Sequence, residues 1–535
     1  MFINEQVVLK DNRIIKAAKL APEQVEKTKK GAMTHAILEA HNISDTKDEL
    51  KLKFDAMASH DITYVGILQT ASACNLNKFP IPYVLTNCHN SLCAVGGTIN
   101  EDDHLFGLSA AKRYGGIYVP AHLAVIHQYM REMMSGCGKM ILGSDSHTRY
   151  GALGTLAIGE GGGELAKQLL GKSYNLKYPK ICLVYLTGCM NKGVGPHDVA
   201  IYMIGKVFKQ ALVTNMILEF AGPGIKNLSM DDRMGIDVMT TETACLSSIW
   251  ATDEKTQEYY ETHGRKEEYK KMHPADEALY DCALSIDLSK IEPMIALPYH
   301  PSNAYTIRDF LDNSSDILDN LKLDALKTYA DKKNKSFFTG QGIIAGCAGG
   351  TFENIIEASA ILEKGDTGSG RFSLSVYPQS QPVAYALNKL GCMNKLMESG
   401  VIIKTAFCGP CFGAGDVPAN NTLSVMHTTR NFENREGSIP KNGQAAYVAL
   451  MDARSIAATA LNKGYITAGT DVEYDKHIPK YEFNRNIYEK RVYNGYNKPN
   501  YNQELIYGPN IKPWPEIPSL PDNLLLKVAA VLTDE

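Results

Sequence analysis

The sequence has no excess of basic residues: its 535 positions carry 55 lysines and arginines against 59 aspartates and glutamates, a formal net charge of −4. Such a balance offers phosphates no electrostatic footprint, so nucleic acid is excluded as an expected partner. Long apolar runs are also missing. None approaches the roughly 20 residues that span a bilayer. The opening Met1-Phe2-Ile3-Asn4-Glu5 lacks the basic and apolar regions of a signal peptide. The expectation is a soluble, cytoplasmic protein with no membrane partner. Internal repeats and low-complexity tracts are lacking. So is a second C-x-x-C, which removes the four-cysteine zinc ribbon.

What is present is ordinary for a globular chain, with 44% hydrophobic and 21% charged residues. At about 150 residues per domain, three or four domains are expected. Short apolar runs at 84–85, 140–142, 181–186, 342–345 and 401–403 read as buried parallel strands. Helical patterns alternate with them, at 164–170 after a glycine-rich turn and at 196–209. This alternation predicts an α/β protein of αβα layers. Residues 1–28 are charged and read as peripheral, and 253–271 as an exposed charged helix. From 471 to 523 tyrosine, asparagine and proline dominate, which predicts an extended wrapping segment.

Twelve cysteines in such a chain are expected to be reduced thiols or metal ligands. Cys74, Cys137, Cys182, Cys189, Cys245, Cys282 and Cys392 sit among apolar or small residues and read as inert buried thiols. Cys408-Gly409-Pro410-Cys411 has three readings: a thioredoxin-like redox pair, half of a zinc site, or part of an iron–sulfur site. Gly413-Ala414-Gly415 behind it is a poor helix start, which weighs against the redox pair.

The wider pattern is more specific. His60-Asp61-Ile62-Thr63, Cys88-His89-Asn90, Ile126-His127-Gln128 and Gly143-Ser144-Asp145-Ser146-His147-Thr148 precede Gly346-Cys347-Ala348-Gly349-Gly350 and the C-x-x-C. Arg430-Asn431-Phe432-Glu433-Asn434-Arg435 follows. Singly, each histidine reads as a satisfied structural residue and each arginine as a solvated surface charge. In this order the set resembles the aconitase superfamily, with its isopropylmalate isomerases and homoaconitases, over residues 60–535.

The resemblance implies three αβα domains around a central cleft, at 1–180, 181–300 and 301–512. Residues 513–535 would be a linker toward an absent swivel domain, supplied in cis or in trans. It implies a [4Fe–4S] cluster on Cys347, Cys408 and Cys411 with one iron left open. His60, His89, His127, Asp145, His147 and Glu242 would be catalytic. Ser146, Arg430 and Arg435 would bind substrate, arginine suiting carboxylates through its planar fork. The implied activity is that of a hydro-lyase acting on a small hydroxy di- or tricarboxylic acid. The alternative is a non-catalytic cluster protein sensing iron or oxidants.

Departures from the family pattern argue against citrate. Cys347 is followed by Ala348-Gly349-Gly350, Val238 and Thr429 replace asparagines, and Cys88 replaces the aspartate beside the active-site histidine. The lost asparagines would have donated hydrogen bonds to the sulfurs.

Overall fold

The alternating apolar runs and helices build three main sheets in the computed structural model. It describes all residues except 47–48, 90–96, 434–441, 515–522, 524, 529 and 531–535. The first sheet orders its strands Tyr493–Asn494, Ile117–Val119, Tyr83–Thr86, Ala56–His60, Met140–Gly143 and Leu156–Gly159. All pair in parallel except the first, an antiparallel edge. The second sheet runs Phe2–Ile3, Cys282–Asp287, Ile181–Thr187, Ile217–Ala221 and Ser247–Trp250. The third has a parallel core of Tyr447–Met451, Leu423–His427, Gln341–Ile344, Ser373–Val376 and Ile402–Ile403.

Helices cover both faces of the sheets, so their central strands are continuously apolar rather than alternating. Met140–Gly143 and Tyr83–Thr86 are buried at every position. Burying a side chain such as Leu142 contributes roughly 1.5–3 kcal/mol, and truncating it to alanine would cost about 2–5 kcal/mol. A core cluster containing Val84, Ile141, Val238, Ile343, Cys347 and Met426 joins the sheets. In each parallel sheet the loops that leave the strand C-termini share one edge, where such folds gather functional groups.

The N-terminal stretch is not peripheral. Phe2–Ile3 pairs along the second sheet, and the hairpin Val7–Lys10 and Arg13–Lys16 packs beside it through Glu277–Tyr280. Its turn residues Asp11 and Asn12 both take positive φ, 47° and 56°, the geometry that suits a two-residue hairpin. The charges of this stretch point outward while Val7 and Val8 are fully buried.

The expected charged helix is shorter than its charge run. It spans Glu254–Thr262, stops before Gly264 at φ 66°, and buries Tyr260. The segment after 471 is largely extended and docks through Tyr488 and Ile511. Two of the cysteines read as buried, Cys74 and Cys189, are exposed. Among the described residues no helix is long and apolar enough to cross a membrane.

Candidate active site

Loops from the first and third sheets meet around a cavity of about 500 Å³. His60 ends its strand, His89 follows the next one, and His127 lies in the helix Ile126–Met133. Asp145, Ser146 and His147 leave the end of Met140–Gly143. The Asp145 loop is tightly seated: His147 N–H donates to Asp145 Oδ1 at 2.7 Å and Thr148 Oγ1 donates to Asp145 O at 2.6 Å. A Cβ on Gly159 would stand 2.4 Å from Asp145 O, so only glycine lets the neighbouring strand pass.

Asp145 is the hub of four imidazoles. Its carboxylate oxygens lie 3.2 Å from His89 Nε2, 3.2 Å from His127 Nε2, 3.5 Å from His147 Nδ1 and 3.8 Å from His60 Nε2. Burial raises the cost of its charge, yet His127 and its neighbours hold the carboxyl well below the usual range. The imidazoles divide. Burial pushes His60 down to about 3 and lowers His127. Burial also opposes a charge on His89, but Cys88 and Asp145 overcome it and raise His89 well above its ordinary value. The His89 and His60 rings, shifted in opposite directions, lie against each other with centroids 3.8 Å apart and planes tilted by 31°.

Glu242 comes from the one-turn helix Thr240–Thr243 beyond the second region's helix Met230–Met239. Burial disfavours its charge, but His147 and Arg430 bring it to about 2. Arg430 follows Leu423–His427 and also donates to Ser146 Oγ at 2.7 Å. Arg435, with Asn90 and Asn434, lies outside the described residues.

Cys347, Cys408 and Cys411 line the same cavity as the histidines. Cys347 sits in the single turn Gly346–Gly349, and the C-x-x-C forms another, Gly409–Phe412, which Gly413 ends at φ 90°. That one-turn helix is too short for the thioredoxin arrangement, which needs a full helix behind its cysteine pair. A Cβ on Gly346 would meet Cys411 Sγ at 2.6 Å, so glycine leaves the sulfur its place beside Cys347. Three thiols gathered over such a cradle suit an iron–sulfur group. Burial pushes the Cys347 thiol up, and the neighbouring Cys411 adds to the rise.

Several residues here carried no role in the sequence reading. Asp61 accepts from the His89 backbone N–H at 3.0 Å and faces His104 Nε2 at 3.1 Å. Tyr150 Oη lies 3.1 Å from His127 Nδ1. Arg131 donates to the Cys347 carbonyl at 3.0 Å, and Phe412 stacks on His89. Asp61 was within reach of inference as the neighbour of His60, whereas Tyr150, Arg131 and Phe412 carry no local signal. Of the departures, Val238 is wholly buried in the joining core and Thr429 lines the cavity.

The model of the aconitase family (aconitate hydratase) matches residues 35–462. The 3-isopropylmalate dehydratase large subunit of Clostridium kluyveri is 30% identical over 60% of this chain and 70% of its own length. That of Moorella thermoacetica is 32% identical over 63% and 73%. The 2,3-dimethylmalate dehydratase large subunit of Eubacterium barkeri is 32% identical over 56% and 66%. With four-fifths of the chain inside the family match and the family's residue types gathered at one cavity, the chain belongs to the aconitase family.

Proposed function

We propose that this chain is the cluster-bearing subunit of an iron–sulfur hydro-lyase that moves water on and off a small hydroxy diacid, an alkyl-substituted malate rather than citrate. One observation carries the reading: three cysteines and an Asp145-centred set of histidines line one cavity, with Arg430 at its edge. Cys347, Cys408 and Cys411 would hold a [4Fe–4S] group. When bound, that group supplies an electrophilic iron for the substrate hydroxyl.

The remaining work falls to the chain's own side chains. Arg430, braced by Glu242 and Ser146, offers its guanidinium to a substrate carboxylate. Arg435 is the proposed second clamp. His89, whose charged form Cys88 and Asp145 favour, can deliver a proton from Nε2 to a departing hydroxyl and take it back from water in the return direction, with the His60 ring packed beside it. His127 and His147 fix the Asp145 carboxylate from its other oxygen, and Glu242 orients His147. A cluster protein that only sensed iron or oxidants would have no use for so divided an acid–base set, which favours the enzyme.

The relatives' names as large subunits support a separate small subunit, which would carry the swivel domain and the base that removes the carbon-bound proton. The domain limits at 180, 300 and 512 belong to the same proposal. The test is anaerobic reconstitution with iron and sulfide, then assay of hydroxy diacids for the ultraviolet absorbance of the enoate. Turnover is expected only when a small-subunit polypeptide is added. Full turnover without it would put the base among the residues of this chain. No turnover in either mixture, with the cluster absorbance present, would overturn the enzyme reading.

A further inference from the structure

Cys88 stands where the resemblance leads one to expect an aspartate, and the fold sets it against a cysteine from another sheet. Cys88 Sγ, Cys408 Sγ and a ring nitrogen of His89 all lie within 4.8 Å of one another. The backbones touch as well, for Cys408 N–H donates to the Cys88 carbonyl at 2.7 Å. Two residues joined by a direct backbone hydrogen bond have Cα atoms at about the 4.4–6.8 Å that a disulfide bridges. The other partner of the C-x-x-C is drawn elsewhere, since Cys411 Sγ occupies the space over Gly346 on the Cys347 side.

Access separates the two thiols. Cys408 lines the cavity, whereas Cys88 is 0% exposed behind it. We infer that Cys88 and Cys408 form a thiol–disulfide site, in which Cys408 meets the oxidant and Cys88 resolves it once no cluster holds the sulfur.

With hydrogen peroxide as the oxidant, the Cys408 thiol attacks one peroxide oxygen, the O–O bond breaks, and Cys408 sulfenic acid and water result. The Cys88 thiol then attacks the Cys408 sulfur; the S–O bond breaks, the S–S bond forms, and the hydroxyl leaves as water with the Cys88 proton. Two thiols and one peroxide give one disulfide and two waters. The bridge would keep Cys408 from overoxidation to sulfinic acid, which is irreversible to ordinary thiols. It would also withhold Cys408 from a new cluster until a dithiol reductant opened it. The pairing rests on the thiol geometry alone; only its effect on reloading depends on the proposed cluster.

The experiment exposes the full chain, with and without reconstituted cluster, to hydrogen peroxide, alkylates the free thiols, and maps peptides without reduction. The expected product joins the peptides of Cys88 and Cys408, assigned by fragmentation, and visible absorbance returns on reloading only after dithiothreitol. Cys88→Ser and Cys88→Ala should lose the link, accumulate sulfinic acid at Cys408, and fail to recover with dithiothreitol. A Cys408–Cys411 link as the main product, or Cys88 recovered alkylated from the oxidised wild-type chain, would overturn the inference. The wild-type map decides this even if a variant folds poorly. The cluster-free sample decides it even if no cluster assembles, so failure of the cluster reading is seen separately.

Discussion

His147 Nε2 lies 2.7 Å from Glu242 Oε1, and the same oxygen accepts from Arg430 Nε at 2.7 Å. One carboxylate oxygen thus ties a loop of the first sheet to the turn Thr240–Thr243 and to the residue that follows Leu423–His427 of the third sheet. A carboxylate this deeply buried is stable only while both partners remain. Taking one partner from a buried pair typically costs about 3–5 kcal/mol.

Glu242→Gln removes the charge and keeps the shape. His147 loses the group that orients it, and Arg430 is left with a neutral brace. The expected outcome is a kcat lower by about 10² to 10⁴, the range for disabling one member of an acid–base set, together with a lower Tm. Wild-type turnover in the variant would remove Glu242 from the mechanism.

Arg430→Lys keeps the charge but cannot bond Glu242 and Ser146 at once while facing a substrate. A charge-assisted hydrogen bond is worth roughly 1.5–3 kcal/mol, so kcat/KM should fall by about ten- to a hundredfold. The visible spectrum of the cluster should not change. Steady-state kinetics and the spectrum are to be measured on the same preparation, because a change in both would assign Arg430 a role in holding the site together.

Cys347→Ser and Cys411→Ser should each abolish the visible absorbance of reconstituted protein while far-UV circular dichroism stays as in the wild type. Removing iron from the wild-type chain with a chelator should do the same and leave the fold intact, since large apolar cores hold the sheets together. A serine variant that still takes up a full complement of iron and sulfide would remove that residue from the ligand set.

His427 gives a pH test apart from the cavity. It is fully buried, its Nδ1 accepts the Ala453 N–H at 2.9 Å, and burial lowers it to about 4 from an ordinary 6.5. The unfolded chain takes up a proton below 6.5 that the folded chain refuses, so this group's share of stability is present above 6.5 and drains away as pH falls toward 4. The shift corresponds to a loss on the order of 3 kcal/mol. His427→Asn retains an acceptor for Ala453 without the titration. Its stability relative to wild type, from denaturant unfolding at pH 7 and pH 4.5, should improve at the lower pH. An unchanged difference would mean that His427 is charged in the folded state.

Much of the architecture was legible in the sequence because it is local. Runs such as Met140-Ile141-Leu142 are apolar at every position, as strands buried on both faces must be, and their spacing with helices between them implies layered α/β structure. The N-terminal hairpin was misread because its charges dominate composition, whereas its burial depends on pairing with Glu277–Tyr280 from far along the chain.

Sequence alone determined which residue types this protein has for chemistry: a C-x-x-C, a lone upstream Cys347, histidines after apolar runs, and arginines behind them. It could not determine which of them touch. That Asp145 serves four imidazoles, that Glu242 answers both His147 and Arg430, and that Cys88 rests against Cys408 are decided only when the first and third sheets turn the C-terminal edges of their strands toward one cavity and the turn Thr240–Thr243 meets them there. Charges and thiols interact over a few ångströms of space, and the chain separations bridged here run to hundreds of residues. No periodicity or spacing in the sequence encodes such contacts, and the opposite shifts of His60 and His89 follow from them.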